Sequence, residues 1–275
     1  MQPSKFIPSS RARRAFSLIE LLTAVSIMTV IIIALYAMFD HTQKALRGSV
    51  SQTDVLESGR AAMELIKRDL EQMSAARGAG VPNFYAQLNT NTAPFYQSLP
   101  GDASFPNPQR TNRLHDFLFL TKFNNNWTAS GYKVFPIQSG SPVGSLGRFT
   151  TNTVASAVPF RIMAKLINRD SSEVINYQPV IDGVVSLTIL PYDRNGNLMV
   201  ATNSPLTYRY FANGTYYFLS NSLPPYVEVE LGILEPYVVN QYKAMSGSVA
   251  ANFLARQAGK VHLFRERIPI RTASR

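Results

Sequence analysis

One carboxylate, Glu20, interrupts an otherwise uncharged run of 24 residues from Phe16 to Phe39. A carboxylate inside a helix in lipid costs about 2.5 kcal/mol or more, so such a residue persists where a partner neutralises it. The chemistry that Glu20 offers is therefore ion pairing in a medium of low dielectric constant. The run is also long enough to cross a hydrocarbon layer, which needs about 20 apolar residues. We expect a membrane helix over residues 16–39.

Residue types that could carry catalysis or hold a metal form no recognisable pattern. The histidines are His41, His115 and His262, and their spacing fits no metal-binding motif. Residues 193–197 place oxygen-bearing side chains at alternate positions, as a calcium loop does, but Leu198 and Ser204 occupy the sixth and twelfth positions. A hairpin turn explains this stretch better. We therefore expect no enzyme, no catalytic residue, no metal and no cofactor.

The residues before the apolar run form a basic leader. No acidic residue lies between Met1 and Ala15, and the bases are Lys5, Arg11, Arg13 and Arg14. Positive charge on one side of a membrane helix keeps that side in the cytoplasm. The run exceeds the roughly 7 to 15 residues of a secretory signal, no A-x-A cleavage pattern follows it, and the chain has no cysteine for a lipoprotein signal. The apolar segment should remain as an anchor.

The junction between leader and anchor resembles the G-F-[ST]-L-[IV]-E signature of type IV prepilins and pseudopilins. Here the six residues 15–20 read Ala-Phe-Ser-Leu-Ile-Glu. The resemblance implies cleavage by a membrane-embedded prepilin peptidase between Ala15 and Phe16, followed by N-methylation of Phe16. Ala15 departs from the glycine of the family, and because alanine is the smallest available change, processing is expected to be slower or still adequate.

The same resemblance implies a partner for Glu20, the fifth residue of the processed chain. In the family's filaments this carboxylate pairs with the amino terminus of a neighbouring subunit, and a buried charge left unpaired is costly. The implied partners are prepilin peptidase, other minor and major pseudopilins through the N-terminal helix, an inner-membrane assembly platform, and lipid. The implied location is the bacterial inner membrane, single-pass, with the C-terminal domain in the periplasm. A plain signal anchor with a protonated or snorkelling Glu20 is the alternative.

Composition limits what the exported part can be. The chain has 275 residues and a net charge of +10, and removal of the four leader bases leaves +6. The remaining bases are scattered, which is typical of a solvated surface, so no nucleic acid is expected as a partner. The absence of cysteine differs from the many major pilins that close a C-terminal loop with a disulfide.

The sequence predicts an α+β, pilin-like fold, in which the amphipathic half of a long N-terminal helix packs on an antiparallel β-sheet domain. The boundaries are 1–15 for the removed leader, 16–39 for the transmembrane part, 40–76 for the exported part of the helix and 77–275 for the β-rich domain. Five apolar residues recur at helical spacing and should face that sheet: Leu56, Met63, Ile66, Leu70 and Met73.

The β-rich domain begins with a stretch, 76–113, whose five prolines predict a long loop. Strands are then predicted from β-branched and aromatic runs at 114–123, 132–137, 160–167, 180–192, 208–219, 226–234 and 261–270. Asn195-Gly196 and Asn213-Gly214 predict turns. Helical segments interrupted at Gly247 are predicted between 236 and 257, and Pro269 suits an edge strand.

Three stretches, 68–70, 182–184 and 223–231, resemble the minor pseudopilin J family of type II secretion. The function this implies is that of a structural subunit of a periplasmic pseudopilus, in its assembly or tip region, which supports protein export. A minor pilin of a type IV pilus, serving adhesion, motility or DNA uptake, is the alternative. A membrane-anchored ligand-binding module that uses the 76–113 loop for recognition is a second alternative.

Overall fold

A computed structural model describes residues 17–90, 92–98, 109–124, 126–150, 159, 163, 167, 177–199, 208–211 and 214–273. The chain divides into two compact units between Val50 and Ser51. Helix α1, Leu18–Glu71, contains no proline and extends through both units. In the first unit its residues 18–39 are exposed along their whole length.

The part of α1 in the second unit buries one face. The predicted inward positions Met63, Ile66 and Leu70 are buried, and Met73 is buried just beyond the end of the helix. The prediction for Leu56 is wrong, because its side chain is 40% exposed and Val55 takes the inward position. Adjacent helical residues point about 100° apart, so only one of these two can face the sheet.

The second unit is built on an antiparallel β-sheet. Its elements, in chain order, are β1 Pro82–Leu88, β2 Phe95–Ser98, β3 Gln109–Asn112, β4 His115–Phe123, β5 Asn126–Pro136, β6 Gly144–Thr150, β7 Gln178–Tyr192, β8 Tyr208–Phe211, β9 Thr215–Leu219, β10 Tyr226–Leu234, helices α2 Pro236–Lys243 and α3 Gly247–Arg256, a helical turn Ala258–Lys260, and β11 Val261–Pro269. Among the described residues, nine strands form one sheet in the order β11-β10-β7-β6-β5-β4-β1-β9-β8, and β2 pairs with β3 separately. The predicted α+β fold, with a long N-terminal helix on an antiparallel sheet, is confirmed.

The sheet is covered on both faces where β7 and β10 lie side by side. Val184 and Ile233 belong to the core cluster beneath α1, whereas the next residues, Val185 and Leu234, belong to a second cluster with α2 and α3. Successive side chains of a strand point to opposite faces, so these strands contribute to both cores. The C-terminal helices are therefore an integral layer of the domain.

Two predictions about the β-rich region are wrong. The predicted loop at 76–113 contains β1, β2 and β3. Pro82 is the first residue of β1, a position that needs no ladder N–H, so this proline marks the start of a strand. In the predicted strand at 160–167, the described residues Met163 and Ile167 are helical, as is Pro159 before them. A short apolar run fits either the helical or the strand period, so periodicity alone does not decide between them.

The predicted strand 132–137 covers only the second half of β5, which begins at Asn126, whereas 226–234 matches β10 at both ends. The predicted strand 208–219 is a hairpin of β8 and β9, and Gly214 has the positive φ, +80°, that the predicted turn needs; Asn213 lies outside the described residues. The predicted break at Gly247 separates α2 from α3. Pro269 ends β11, which is an edge strand of the sheet as expected.

Candidate assembly site

The first turn of α1 positions Glu20. The carbonyl of Ser17 accepts hydrogen bonds from the backbone N–H groups of Glu20 at 3.0 Å and Leu21 at 3.2 Å. Glu20 thus lies where the partial positive charge of a helix N-terminus favours an acidic side chain. Among the described residues, none places a cationic group against this carboxylate. The predicted cleavage site, Ala15 and Phe16, lies outside the described residues.

Three of the hydroxyl groups that follow Glu20 donate hydrogen bonds within the helix. Thr23 donates to the carbonyl of Glu20 at 2.9 Å, and Ser26 and Thr29 donate to the carbonyls four residues before them at 2.8 Å each. Such back-bonding removes the cost of placing a hydroxyl donor in an apolar medium. Glu20 is the one charged side chain of residues 17–39, and its carboxylate calls for a partner in an apolar medium.

The segment also presents a continuous apolar surface. Every residue from Ser17 to Phe39 is exposed, including Leu18 at 80% and Tyr36 at 75%. Within the described part of the chain, α1 is the one helix long and apolar enough to cross a membrane. An exposed apolar surface of this extent requires lipid or other apolar helices around it. The segment supports single-pass membrane anchoring.

Two of the three histidines contact polar groups of the domain, and the third is exposed. The Nδ1 atom of His115 accepts the backbone N–H of Ile189 at 3.2 Å; burial, followed by the charge of Arg113, lowers the pKa of His115 to about 4. The Nε2 atom of His262 lies 3.1 Å from Oε1 of Glu235. His41 is exposed on α1. The described residues contain no group of three or more His, Cys, Asp or Glu side chains placed to hold a metal.

The stretch 193–197 is a turn that closes on itself. Oδ1 of Asp193 accepts the backbone N–H of Asn197 at 2.7 Å, and Tyr192 and Leu198 form a bridge on either side. The hydrogen bonds from Asn197 lower the pKa of Asp193. Its carboxylate is thus engaged by its own turn, as the hairpin interpretation requires.

A buried ionic cluster joins α1 to the sheet, and the sequence did not reveal it. Oδ2 of Asp69 accepts hydrogen bonds from the Tyr132 hydroxyl at 2.7 Å and from Nε of Arg148 at 2.5 Å, and Oδ1 accepts from Nη2 of Arg148 at 3.2 Å. Burial and the Asp69 carboxylate raise the pKa of Tyr132, and the hydrogen bonds that Arg148 donates to Asp69 raise the pKa of Arg148. Asp69 follows Ala62 by seven residues on the buried face. The signal for this cluster in the sequence is an acidic residue at a position of the helix that faces the sheet.

A second carboxylate, Asp116, lies buried beside His115. Burial raises the pKa of Asp116 to about 6, although Nζ of Lys133 at 3.9 Å and Nδ2 of Asn89 at 3.3 Å favour its charged form. Burial disfavours the charged form of both side chains. It therefore shifts the two pKa values in opposite directions, raising that of Asp116 and lowering that of His115. They are neighbours on β4 within the core region of the domain.

A third cluster lies on the other face of the sheet from α1. Glu228 on β10 accepts hydrogen bonds from Arg265 and Arg267 on β11, at 2.5 Å and 3.1 Å. Burial acts to raise the pKa of Glu228, but the two guanidinium groups outweigh it and lower that pKa. The guanidinium of Arg267 also lies over the ring of Tyr192, 4.0 Å from its centre. Both arginine side chains are thus held in place.

Comparison with known proteins identifies the amino-terminal segment. Residues 10–36 match the family model described as the prokaryotic N-terminal methylation motif. No curated protein and no solved structure matches the chain. The motif supports a type IV pilin-like or pseudopilin protein, a class of structural subunits, and it implies processing by prepilin peptidase and assembly with other pilin-type subunits. The chain therefore carries the N-terminal methylation motif of type IV pilin-like proteins, on a helix of membrane-spanning length that continues into an α+β domain.

Proposed function

We propose that this protein is a minor pseudopilin, a structural subunit of the periplasmic pseudopilus of type II secretion that acts in its assembly or tip region. One observation carries the proposal: the methylation motif covers residues 10–36, and Glu20 is the single formal charge between Phe16 and Phe39. The stretches that resemble minor pseudopilin J favour a secretion pseudopilus over a pilus, and the absence of cysteine argues against a major pilus subunit.

Processing would create the positive charge that the site needs. Cleavage between Ala15 and Phe16 removes a leader with four bases and leaves a methylated amine on Phe16, at the start of the apolar segment. The leader stays in the cytoplasm because of its charge, and the domain that follows the anchor lies in the periplasm. The protein thereby stays in the inner membrane, where the assembly platform and the other pseudopilins are.

Assembly would then depend on Glu20. A carboxylate and an amine that remain apart in lipid each bear a desolvation cost, whereas a neighbouring subunit in the correct axial register brings one against the other. A subunit displaced along the filament leaves both charges unpaired. The ion pair therefore selects the register, and the apolar surface of residues 17–39 supplies the contact area.

The first test is the mass of the mature protein. Intact-mass spectrometry of the protein from membranes that contain prepilin peptidase should give a chain that begins at Phe16 with one added methyl group. An Ala15→Gly variant serves as a matched control and should be cleaved at least as fast. A mature protein that retains residues 5–14 in the presence of the peptidase would contradict the proposal.

The second test separates secretion from pilus assembly. Crosslinking in the membrane, followed by mass spectrometric identification of partners, should recover pseudopilins of the secretion system. Deletion of the gene should abolish export of the secreted proteins and leave surface pili intact. Recovery of pilus subunits alone, with normal export in the deletion strain, would assign the protein to a pilus.

A further inference from the structure

Strand β11 forms one edge of the nine-stranded sheet. It pairs with β10 along its whole length, from Val261 opposite Leu234 to Pro269 opposite Tyr226, and the register contains no shift. In the described part of the chain no strand pairs with its other side. A long, regular edge of this kind presents unpaired backbone groups that can accept another strand.

One hydrogen bond shows which backbone N–H and C=O groups of β11 point toward β10 and which point away from it. The N–H of Ile270 donates to the carbonyl of Pro225 at 2.9 Å, so this pair is of the hydrogen-bonded type. Hydrogen-bonded and non-hydrogen-bonded pairs alternate along an antiparallel ladder, and the backbone N–H and C=O groups of Leu263, Arg265 and Arg267 therefore point away from β10. Pro269 occupies an outward position as well, where its missing N–H costs no ladder bond.

The side chains of these outward residues carry a definite chemistry. Arg265 and Arg267 lie on the face opposite α1, and their side chains are 61% and 43% exposed. Glu228 neutralises one of their two charges and holds both side chains in place. A guanidinium has five N–H donors, so each retains donors beyond those that Glu228 uses. Leu263, 46% exposed, adds an apolar contact on the same face.

The register that centres two copies of β11 on Arg265 is unfavourable. An antiparallel pair centred on Arg265 would place this residue directly opposite its own copy, and like charges at opposed positions destabilise a sheet. Opposite charges in the same place stabilise it. In that register the edge disfavours a second copy and favours a strand of complementary charge.

We propose that β11 is a docking edge for an extended segment of another polypeptide. This segment carries carboxylates at two alternate positions, opposite Arg265 and Arg267, and an apolar residue opposite Leu263. Main-chain hydrogen bonds to the outward groups of β11 provide affinity, and the two guanidinium groups provide specificity. The proposal is independent of the proposed function, because it rests on the sheet and involves neither the motif nor Glu20.

The test uses the full chain in detergent micelles and a fluorescent, end-capped peptide of sequence Val-Thr-Glu-Thr-Glu-Thr-Val. This sequence reads identically in both directions, so it fits a parallel or an antiparallel approach. Fluorescence anisotropy titrations should give an affinity at least about tenfold higher than that of the matched peptide with lysine in place of glutamate, given the size of charge-pair effects at interfaces. Hydrogen exchange should slow in residues 261–269 when the glutamate peptide binds.

Three variants complete the test. Arg265→Pro removes an outward N–H and keeps the ladder to β10, so it should abolish binding. Arg265→Gln keeps the backbone and should lower affinity about tenfold, the order expected for loss of one charge pair. Arg256→Gln removes an exposed arginine of α3 and should bind like the wild type. Circular dichroism checks that each variant is folded.

Several results would overturn the proposal. Equal binding of the glutamate and lysine peptides would contradict the proposed role of the two arginine charges. Unaltered binding of the glutamate peptide by Arg265→Gln would contradict it as well. Protection from exchange outside residues 261–269 would place the site elsewhere. Concentration-dependent dimerisation of the chain that Arg265→Pro blocks would identify a second copy as the occupant of the edge.

Discussion

Replacing Asp69 with asparagine tests whether the buried ionic cluster fastens α1 to the sheet. The substitution keeps the size of the side chain and removes its charge, so Arg148 loses the partner that Nε and Nη2 contact at 2.5 Å and 3.2 Å. The hydroxyl of Tyr132 loses a charged acceptor at 2.7 Å. The Asp69 side chain is 5% exposed and that of Arg148 is 25% exposed, so water compensates only in part.

The magnitude follows from these exposures. Removing one member of a buried ion pair costs about 3 to 5 kcal/mol, because the remaining charge is left uncompensated. Arg148 can turn its guanidinium partly into solvent, which brings the expected loss for Asp69→Asn to about 2 to 3 kcal/mol. For a domain of this size, such a loss lowers the melting temperature by about 4 to 12 °C.

The assay is thermal denaturation of the full chain in detergent, followed by the fluorescence of the single tryptophan, Trp127, which lies in β5. Glu64→Gln neutralises an exposed carboxylate on the same helix and serves as the control, with an expected loss below about 0.5 kcal/mol. Tyr132→Phe deletes the hydroxyl alone and should cost about 1.5 to 3 kcal/mol, the value of a hydrogen bond to a charged group. If Asp69→Asn melts within 1 °C of the control, the cluster does not hold the helix and the reasoning fails.

Three further predictions address the membrane segment, the domain boundary and the core. Glu20→Leu should insert and be cleaved as the wild type is, yet crosslink to partner subunits at least about tenfold less, since about 1.4 kcal/mol is a tenfold change in affinity; equal crosslinking at equal expression would show that the carboxylate has no pairing role. A fragment that begins at Ser51 should be soluble, whereas one that begins at Ser74 should aggregate, because each large side chain left uncovered forfeits about 1.5 to 3 kcal/mol; size-exclusion chromatography decides, and two equally soluble fragments would refute the packing. Between pH 4 and 6, the raised pKa of Asp116 makes stability fall as pH rises, whereas the lowered pKa of His115 makes it rise. The free energy of unfolding of Asp116→Asn, from urea titrations at each pH, should therefore rise more steeply with pH than that of the wild type over this range. Parallel curves of unfolding free energy against pH for the two proteins would contradict the raised pKa of Asp116.

Much of the fold could be predicted because its signals are local. The membrane-length run, the inward face of α1 at Met63, Ile66 and Leu70, and the strand at 226–234 each appear as a periodic pattern within one element. Turn chemistry at Gly214 likewise depends on a single residue's conformation. The motif at residues 10–36 is also read from contiguous sequence.

The failures came from information that is not local. A proline at position 82 argues locally against a strand, but whether a backbone N–H is needed there depends on where the neighbouring strand ends. The cluster around Asp69 joins residues separated by 63 and 79 positions, and no spacing rule links them. The same holds for Glu228 and its two arginines, which meet only because β10 and β11 are neighbours.

The contacts between α1 and the last strand impose an order on maturation. The ring of Phe264 occupies the space that a side chain at position 59 would need, 2.3 Å from an added Cβ, so Gly59 permits this close approach. Nζ of Lys67 lies 2.6 Å from Glu266, and the hydroxyl of Thr272 donates to the carbonyl of Met73. These partners are 199 residues apart. The region of α1 around Gly59 and Lys67 therefore acquires these contacts only when β11 has formed, and until then β10 is a bare edge. Docking of α1 on β11 is thus a long-range step of folding, whose loop-closure cost grows with the number of residues between the partners.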